Sequence, residues 1–168
     1  GDGRRDMMAK EGWWEQPTSL GGDPEWAFHP VAFSPGGGAQ MYTYDVDGDG
    51  DNDVITSLAA HGYGLAWYEH IPTPEGITFK AHTFMNKEDH ENRYGVHFSQ
   101  LHAIDLIDMN GDGLKDIITG KRFWAHGPNG DAEPNSPAVL YWFELSRSKD
   151  GVDFVPHLID KDSGIGTQ

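Results

Sequence analysis

One acidic, glycine-rich stretch decides the fold of this chain: Asp45-Val46-Asp47-Gly48-Asp49-Gly50-Asp51-Asn52-Asp53-Val54-Ile55-Thr56. A second stretch aligns with it without a gap, 63 residues further along. That copy reads Asp108-Met109-Asn110-Gly111-Asp112-Gly113-Leu114-Lys115-Asp116-Ile117-Ile118-Thr119. The N-terminal residues Gly1 to Met8 match the last two thirds of the same element. A spacing that recurs three times within one chain indicates an internal repeat.

Two further features follow the acidic loop in the same order in every copy. An aromatic pair precedes a glutamate, and a histidine later follows an aromatic residue by three positions, before a turn that ends in glutamine. The copies are Trp13-Trp14-Glu15 with His29 and Gln40, Trp67-Tyr68-Glu69 with His82 and Gln100, and Trp142-Phe143-Glu144 with His157 and Gln168. Because the histidines recur, we expect local hydrogen bonds to hold each of them. The sequence therefore predicts a single repeat domain over 1–168, with approximate units 1–40, 41–100 and 101–168.

The residues around each acidic loop predict short strands rather than helices. The β-branched residues after each loop favour a strand, and the 22 glycines and ten prolines indicate many turns. Each complete unit is expected to form a four-stranded antiparallel sheet, as in a propeller blade. The fold class is thus all-β, with about three blades forming part of a larger β-propeller or repeat array. Since closed propellers typically have about four to eight blades, we expect a longer repeat protein or association between protomers.

The spacing D-x-[D/N]-x-D-G-x-x-D predicts two calcium sites. Side chains at loop positions 1, 3 and 5 converge when the backbone curls, and glycine at position 6 permits that curl. Position 7 offers a carbonyl oxygen and position 9 a closing carboxylate. Site one is therefore Asp45, Asp47, Asp49, the Asp51 carbonyl and Asp53, site two is Asp108, Asn110, Asp112, the Leu114 carbonyl and Asp116, and a third, partial loop retains Asp2 and Asp6. Site one has one more carboxylate than site two, so we expect it to bind calcium more tightly.

Three other interpretations of these loops compete with calcium binding. An EF-hand requires a glutamate at position 12, where this chain has Thr56 and Thr119, and a helix on either side. Magnesium retains several waters and demands a stricter octahedron. Metal-free Asp-Gly turns are common, but they do not need four acids within nine residues whose charges repel one another. Calcium is therefore the expected cofactor.

The charge balance restricts the partners. The 27 acidic residues outnumber the 12 basic ones, and the net charge of −15 argues against nucleic acid and anionic membranes. Ten of the acidic residues lie in the three loop segments, where they are placed for a cation. The chain has no cysteine and therefore no disulfide framework. No apolar run is long enough to span a bilayer.

The loops, their strand context and the repeat length resemble the FG-GAP/VCBS β-propeller family, which includes the integrin α-chain propeller. Phe-Gly and Gly-Ala-Pro signatures are absent here, so the bacterial-type VCBS branch is the closest likeness. In that family the motif forms a calcium-binding hairpin within each blade. The resemblance implies an exported protein, extracellular or periplasmic, with a role in adhesion, ligand binding or scaffolding.

Residues without counterparts in the other units mark a second candidate site. His102, Lys121, Arg122, Trp124 and His126 lie close together in sequence around the second loop. One interpretation is a site for an anionic or sugar ligand, with Trp124 stacked on a pyranose ring. The other is structural: Lys121 and Arg122 balance the negative surface, and Trp124 is buried.

Three functions stay open at this point. The first is a non-catalytic, calcium-stabilised binding, adhesion or scaffold module with a protein or glycan partner. The second is a carbohydrate-active hydrolase or lyase with His102, Arg122 and His126 in its site. The third is a self-assembling fibre or ring, in which a neighbouring copy completes the partial loop at Asp2 and Asp6. The absence of G-x-S-x-G and H-E-x-x-H motifs favours the first.

Overall fold

The structure is a computed structural model that describes residues 2–37, 40–124 and 126–162. Gly1 and Gln168, which take part in the predicted repeat, lie outside these ranges. The described residues are all-β apart from one 3-10 turn at Asp89–Glu91. The predicted all-β class is therefore confirmed.

The strands form three separate antiparallel sheets, in which strands consecutive in sequence are also neighbours in space. Sheet one contains β1 (Met7–Ala9), β2 (Gly12–Glu15) and β3 (Ala27–Pro30). Sheet two contains β4 (Met41–Tyr44), β5 (Asp53–Ser57), β6 (Leu65–Thr73) and β7 (Gly76–Met85). Sheet three contains β8 (Ile104–Ile107), β9 (Asp116–Lys121), β10 (Val139–Ser148) and β11 (Gly151–Asp160).

Both complete acidic loops are hairpin connections between the first two strands of a sheet. Tyr44 pairs with Asp53 across the first loop, and Ile107 pairs with Asp116 across the second. The prediction that each loop joins two strands is confirmed. The aromatic pairs lie on β2, β6 and β10, and the recurring histidines lie on β3, β7 and β11. The strand order within each unit therefore agrees with the repeat.

Sheet two is buried on both faces. Successive side chains of each strand point to opposite faces of the sheet, and apolar residues pack against each face. Val54, Ala66 and Tyr68 pack with Trp13 and Phe33 of the first unit. The residues between them on the same strands, Ile55, Leu65 and Trp67, pack with residues of sheet three that include Ile117, Phe143 and Leu145. Adjacent sheets therefore stack face to face, with one apolar layer on each side of sheet two.

The outer face of sheet three repeats the apolar pattern of sheet two without a covering layer. Ile55 pairs with Trp67 in sheet two, and Ile118 pairs with Trp142 at the same register in sheet three. Ile55 is 0% exposed and Trp67 is 5% exposed. Their counterparts Ile118 and Trp142 are only half-buried. Ile118 and Trp142 therefore lie on a face of sheet three that the described residues cover less completely than they cover the face of Ile55 and Trp67 in sheet two.

Candidate functional sites

The first acidic loop folds around its own carboxylates. The Asp45 carboxylate accepts a hydrogen bond from the Gly48 N–H at 2.6 Å, and the Asp47 carboxylate accepts one from the Asp49 N–H at 3.1 Å. The Asp49 carboxylate accepts a third from the Asp51 N–H at 2.9 Å. Gly48 adopts φ +87°, which favours glycine. As a result, one oxygen from each of Asp45, Asp47 and Asp49 lies within 4.8 Å of the other two.

The second loop repeats these hydrogen bonds at every equivalent position. Asp108 accepts from the Gly111 N–H at 2.7 Å, Asn110 from the Asp112 N–H at 3.0 Å, and Asp112 from the Leu114 N–H at 2.8 Å. Asn110 replaces the second carboxylate, and its amide donates to the other oxygen of Asp112 at 3.1 Å. The two loops therefore share these backbone hydrogen bonds, and among the side chains that accept them only position 3 differs, where Asn110 replaces the carboxylate of Asp47.

The partial N-terminal loop carries its own cation. The Arg4 N–H donates to the Asp2 carboxylate at 3.0 Å, which matches the bond between positions 7 and 5 in the complete loops. The Arg4 guanidinium also forms ion pairs with Asp2 and with Glu15. The backbone hydrogen bond from Arg4 holds the pKa of Asp2 below its usual value, and the guanidinium acts in the same direction. An arginine therefore occupies position 7 of the partial loop, where the complete loops have Asp51 and Leu114.

The aspartate at position 9 connects each loop to the third strand of its sheet. Asp53 and Asp116 are 1% and 0% exposed, and both oxygens of each accept backbone N–H groups. The donors are Val46 and His70 for Asp53, and Met109 and Leu145 for Asp116. Burial raises the pKa of Asp53 and the hydrogen bonds oppose that rise. Each oxygen keeps a second lone pair, so a role as closing metal ligand stays a prediction.

The surroundings of the two complete loops differ. The Arg147 side chain reaches from β10 to loop one, where its Nε donates to the Val46 carbonyl at 2.9 Å and its Nη2 donates to the Asp45 carbonyl. His70 Nδ1 lies 2.8 Å from a carboxylate oxygen of Asp51, whereas loop two has the apolar Leu114 at that position. Loop one is therefore held by cationic and polar contacts that loop two does not share.

The recurring histidines are structural, as the repeat predicts. In each sheet the histidine Nε2 lies 2.7–3.2 Å from the glutamate that follows the aromatic pair. The histidine ring also stacks on the first aromatic residue of that pair, with centroids 4.1–4.3 Å apart. The three sets are Glu15, His29 and Trp13; Glu69, His82 and Trp67; and Glu144, His157 and Trp142. Local contacts hold each of these histidines.

The structure separates two of the predicted ligand-binding residues from the others. Lys121 is fully buried, and its Nζ donates to the carbonyl oxygens of Arg122 and Ser136 at 3.1 Å. Burial lowers the pKa of Lys121. Trp124 is 49% exposed, and its indole N–H donates to Asn135 at 3.2 Å. Lys121 thus ties the 122–136 loop together, and Trp124 lies on the surface of that loop.

The other three predicted residues come together with His61. Arg122 Nη2 lies 3.0 Å from His102 Nε2, and the His61 ring meets the His102 ring edge-on at 4.3 Å. The His126 ring lies 4.6 Å from the His61 ring, centroid to centroid. Burial lowers the pKa of His102, and the charge of Arg122 lowers it further.

Asp131 completes this group, which we call the histidine cluster (His61, His102, Arg122, His126 and Asp131). Its carboxylate lies 2.9 Å from His61 Nδ1 and 3.0 Å from His126 Nδ1. It also accepts a hydrogen bond from the backbone N–H of His126 at 2.9 Å. Burial acts to raise the pKa of Asp131, but the hydrogen bonds from both histidines outweigh it and the pKa falls.

Sequence reasoning missed His61 and Asp131. His61 follows β5 in the 58–64 loop, and Asp131 follows β9 in the 122–138 loop. The repeat makes these two loops equivalent, so a comparison of their unshared polar residues would have indicated both. The cluster extends from His61 to Asp131 in sequence, whereas each acidic motif lies within nine residues, so a motif search does not find the group.

Comparison with protein-family models, with curated proteins and with solved structures gives no match for this chain. Among the described residues, no helix has the length and apolar character needed to cross a membrane. The acidic loops and the histidine cluster are therefore the features from which a function can be inferred.

Proposed function

We propose that this chain is a calcium-stabilised β-propeller segment of the FG-GAP/VCBS type that serves as a non-catalytic extracellular binding, adhesion or scaffold module. The observation that carries the proposal is the agreement between the two acidic loops, which repeat the same three hydrogen bonds at the same hairpin of successive sheets. Beyond these hydrogen bonds, the side-chain oxygens at positions 1, 3, 5 and 9 of both copies keep lone pairs that a cation can share.

The donor set of the loops fits calcium. Positions 1, 3, 5 and 9 offer carboxylate or amide oxygens, and no nitrogen or sulfur ligand takes part in the motif. Calcium takes six to eight such oxygens in a flexible geometry, whereas softer ions favour imidazole or thiolate. In loop one, five aspartates lie within nine residues, so a bound cation would relieve their mutual repulsion. Asp45, Asp47, Asp49 and Asp53, and their loop-two counterparts, would hold the ion.

The stacking of the sheets supports a propeller arrangement. Sheet two is covered on both faces by neighbouring units, as a blade would be. Sheet three presents Ile118 and Trp142 half-buried at the register where sheet two buries Ile55 and Trp67. We infer that a further sheet of the same kind covers this face, whether from the same chain or from a second copy.

A cleft beside loop one offers a surface for the partner. It has a volume of about 500 Å³ and lies between sheets two and three. Its lining includes Asp47, Trp67, Arg93, Tyr94 and Asp153. Aromatic rings next to charged and hydroxyl groups suit a glycan or a polar protein segment. Because Asp47 lines this cleft, calcium in loop one would also fix one of its walls.

Thermal unfolding in the presence of a chelator tests the proposal. The chain is melted in excess EDTA, and calcium or magnesium is then added back in steps. A ligand that binds only the folded state stabilises it by about 2.7 kcal/mol per site at a hundredfold excess over Kd. For a domain of this size each kcal/mol raises Tm by about 2–4 °C.

Calcium should therefore raise Tm by roughly 5–11 °C per occupied site, and magnesium by much less. Equal effects of the two ions would argue for general charge screening instead of a calcium site. If neither ion changed Tm, the loops would be metal-free turns and the proposed function would be wrong.

The histidine cluster favours a second candidate, a carbohydrate-active enzyme. His102, Arg122 and His126 belong to one connected group, as such a site requires. Release of reducing ends or unsaturated products from a panel of acidic and neutral polysaccharides tests this function. Turnover that disappears in His102→Gln would support the enzyme, and an inactive chain that retains glycan binding would support the module.

A further inference from the structure

We propose that His61, His126 and Asp131, which we call the metal triad, bind a divalent transition metal of the zinc type, separately from the calcium loops. One ligand atom from each residue lies within 4.8 Å of the other two. The set contains two imidazole nitrogens and one carboxylate oxygen. Such a set suits zinc and its neighbours and is poorly suited to calcium, which prefers oxygen ligands.

The two distances from the histidine nitrogens to the Asp131 carboxylate are close to what a bound ion needs. Zinc bonds to nitrogen and oxygen are about 2.0–2.2 Å long, so ligand atoms at a tetrahedral ion lie roughly 3.3–3.5 Å apart. The Asp131 carboxylate lies 2.9 Å from His61 Nδ1 and 3.0 Å from His126 Nδ1. An ion would therefore have to widen these distances by only a few tenths of an ångström, once the Nδ1 protons have left.

The triad is open on one side and closed on the other. The Asp131 side chain is only 3% exposed, whereas the His61 and His126 side chains are 43% and 62% exposed. The carboxylate thus forms the floor, and the imidazoles form walls that solvent can reach. Among the described residues, the direct ion-pair partners of Asp131 are His61 and His126, and no lysine or arginine lies at ion-pair distance from it. Three protein ligands with solvent access leave a fourth position for water or another ligand.

The backbone around the triad is built to hold it. Gly130 directly precedes Asp131, and a Cβ at Gly130 would lie 2.3 Å from the carbonyl oxygen of His126. Only glycine therefore permits the close turn that brings the Asp131 carboxylate beneath His126. On the other side, Gly62 follows His61, and its carbonyl accepts the Gln100 N–H at 2.8 Å. The close turn at Gly130 and the hydrogen bond at Gly62 therefore hold the 122–138 and 58–64 loops, which carry the triad.

Two buried polar side chains adjoin the loops that carry the triad. Gln100 is 0% exposed, its Nε2 lies 3.4 Å from the carbonyl of Ala132, and its Oε1 has no hydrogen-bond partner among the described residues. Arg122 Nε is likewise buried without a partner in the described part of the chain, although its Nη2 contacts His102. Buried polar atoms are rarely left unpaired in proteins. The Gln100 N–H donates to the Gly62 carbonyl directly after His61, so Gln100 adjoins one of the loops that carry the triad.

Zinc titration of the whole chain tests the proposal. The chain is first stripped with a chelator, then saturated with calcium so that the acidic loops are occupied, and titrated with zinc by calorimetry. We expect one zinc per chain with saturable binding. Loss of a supporting partner of a metal ligand already weakens metal binding about 10–100-fold. His126→Gln and Asp131→Asn, which remove ligands, should weaken zinc at least as much.

His90→Gln is the matched control, since His90 is an exposed histidine in the 3-10 turn, outside the cluster. It should leave zinc affinity unchanged. X-ray absorption at the zinc edge of the unaltered chain gives a second measurement that needs no variant. It should show two imidazole ligands at about 2.0–2.1 Å.

Three results would overturn the metal triad. They are zinc binding of equal strength in His126→Gln and the unaltered chain, displacement of zinc by excess calcium, and a zinc shell without two imidazoles. Each result is independent of whether calcium raises Tm. The two metal proposals can therefore fail separately.

Discussion

The acidic loops and the histidine cluster lie at opposite ends of the same strands. The acidic loops precede β5 and β9, whereas the 58–64 and 122–138 loops that carry His61, Arg122, His126 and Asp131 follow those strands. A five-residue strand such as β5 separates its two ends by about 17 Å. The end of the strands that carries the acidic loops recurs from unit to unit, and we call it the repeated end. The end that carries the histidine cluster occurs once among the described residues, and we call it the unique end. Repetition indicates what each sheet needs in order to fold, and the unique end is free to bind a specific ligand.

Removal of one carboxylate from each acidic loop should give the largest change in calcium-dependent stability. It should leave zinc binding at the other end of the strands unchanged. We expect the double variant Asp49→Asn, Asp112→Asn to lose most of the calcium-dependent stabilisation, about 2.7 kcal/mol per site at a hundredfold excess over Kd. Without calcium its stability should stay equal or rise, because two repelling charges are gone. Melting with and without calcium measures both quantities.

Glu75→Gln is the control for this double variant, since Glu75 is an exposed carboxylate in the β6–β7 turn. It should keep the full calcium effect. Zinc binding by the metal triad should be the same in the double variant as in the unaltered chain. A parallel loss of zinc binding would contradict the separation of the two ends.

The position 9 aspartate should matter even without metal, because it connects the loop to the sheet. In Asp116→Asn, one oxygen that accepts an N–H from Met109 or Leu145 becomes an NH₂ group that cannot accept it. A buried donor left unpaired costs about 1–3 kcal/mol. We expect that loss of unfolding free energy by urea denaturation in EDTA.

Asp112→Asn alone provides the comparison, because Asp112 is exposed in the same loop. It should change unfolding in EDTA very little. If Asp116→Asn destabilised only the calcium-loaded chain, Asp116 would act as a metal ligand without the structural connection described above.

The repeated end could be predicted from the sequence because its interactions are local. Asp45, Asp47 and Asp49 lie within five residues, and the order of strands around them follows from the aligned copies. The hydrogen bond from the His70 N–H to Asp53 has equivalents at Asp6 and Asp116, so the structure repeats this contact wherever the sequence repeats the position 9 aspartate. What the repeat cannot supply is the contact of Arg147 with loop one, which joins residues about a hundred positions apart in sequence.

The unique end could be predicted only in part because its contacts are long-range. His61 and Asp131 are 70 residues apart in sequence, and only the packing of sheets two and three brings them together. Sequence proximity alone groups Lys121 with this end of the strands. However, strand residues alternate in direction, and the structure directs the Lys121 side chain into the protein, where carbonyl oxygens hold it. Neighbours in sequence at a strand end need not share a site.

The smallest predicted effects separate the histidines of the two ends. His82 stacks on Trp67 and lies 2.7 Å from a Glu69 oxygen, so His82→Gln should lower the free energy of unfolding by about 1 kcal/mol. His126 is 62% exposed at its side chain, so His126→Gln should change that free energy by less than about 0.5 kcal/mol in the absence of metal. Urea denaturation in EDTA measures both variants.

For zinc affinity we expect the reverse ranking: His126→Gln should have the larger effect and His82→Gln the smaller one. His82→Gln should leave zinc binding unchanged because His82 faces a glutamate and an aromatic ring of its own sheet. His126→Gln should weaken it, because His126 contributes a nitrogen to the metal triad. If His126→Gln instead destabilised the metal-free chain as much as His82→Gln, the unique end would be a structural element like the repeated one. The difference between the two ends would then be one of sequence and not of role.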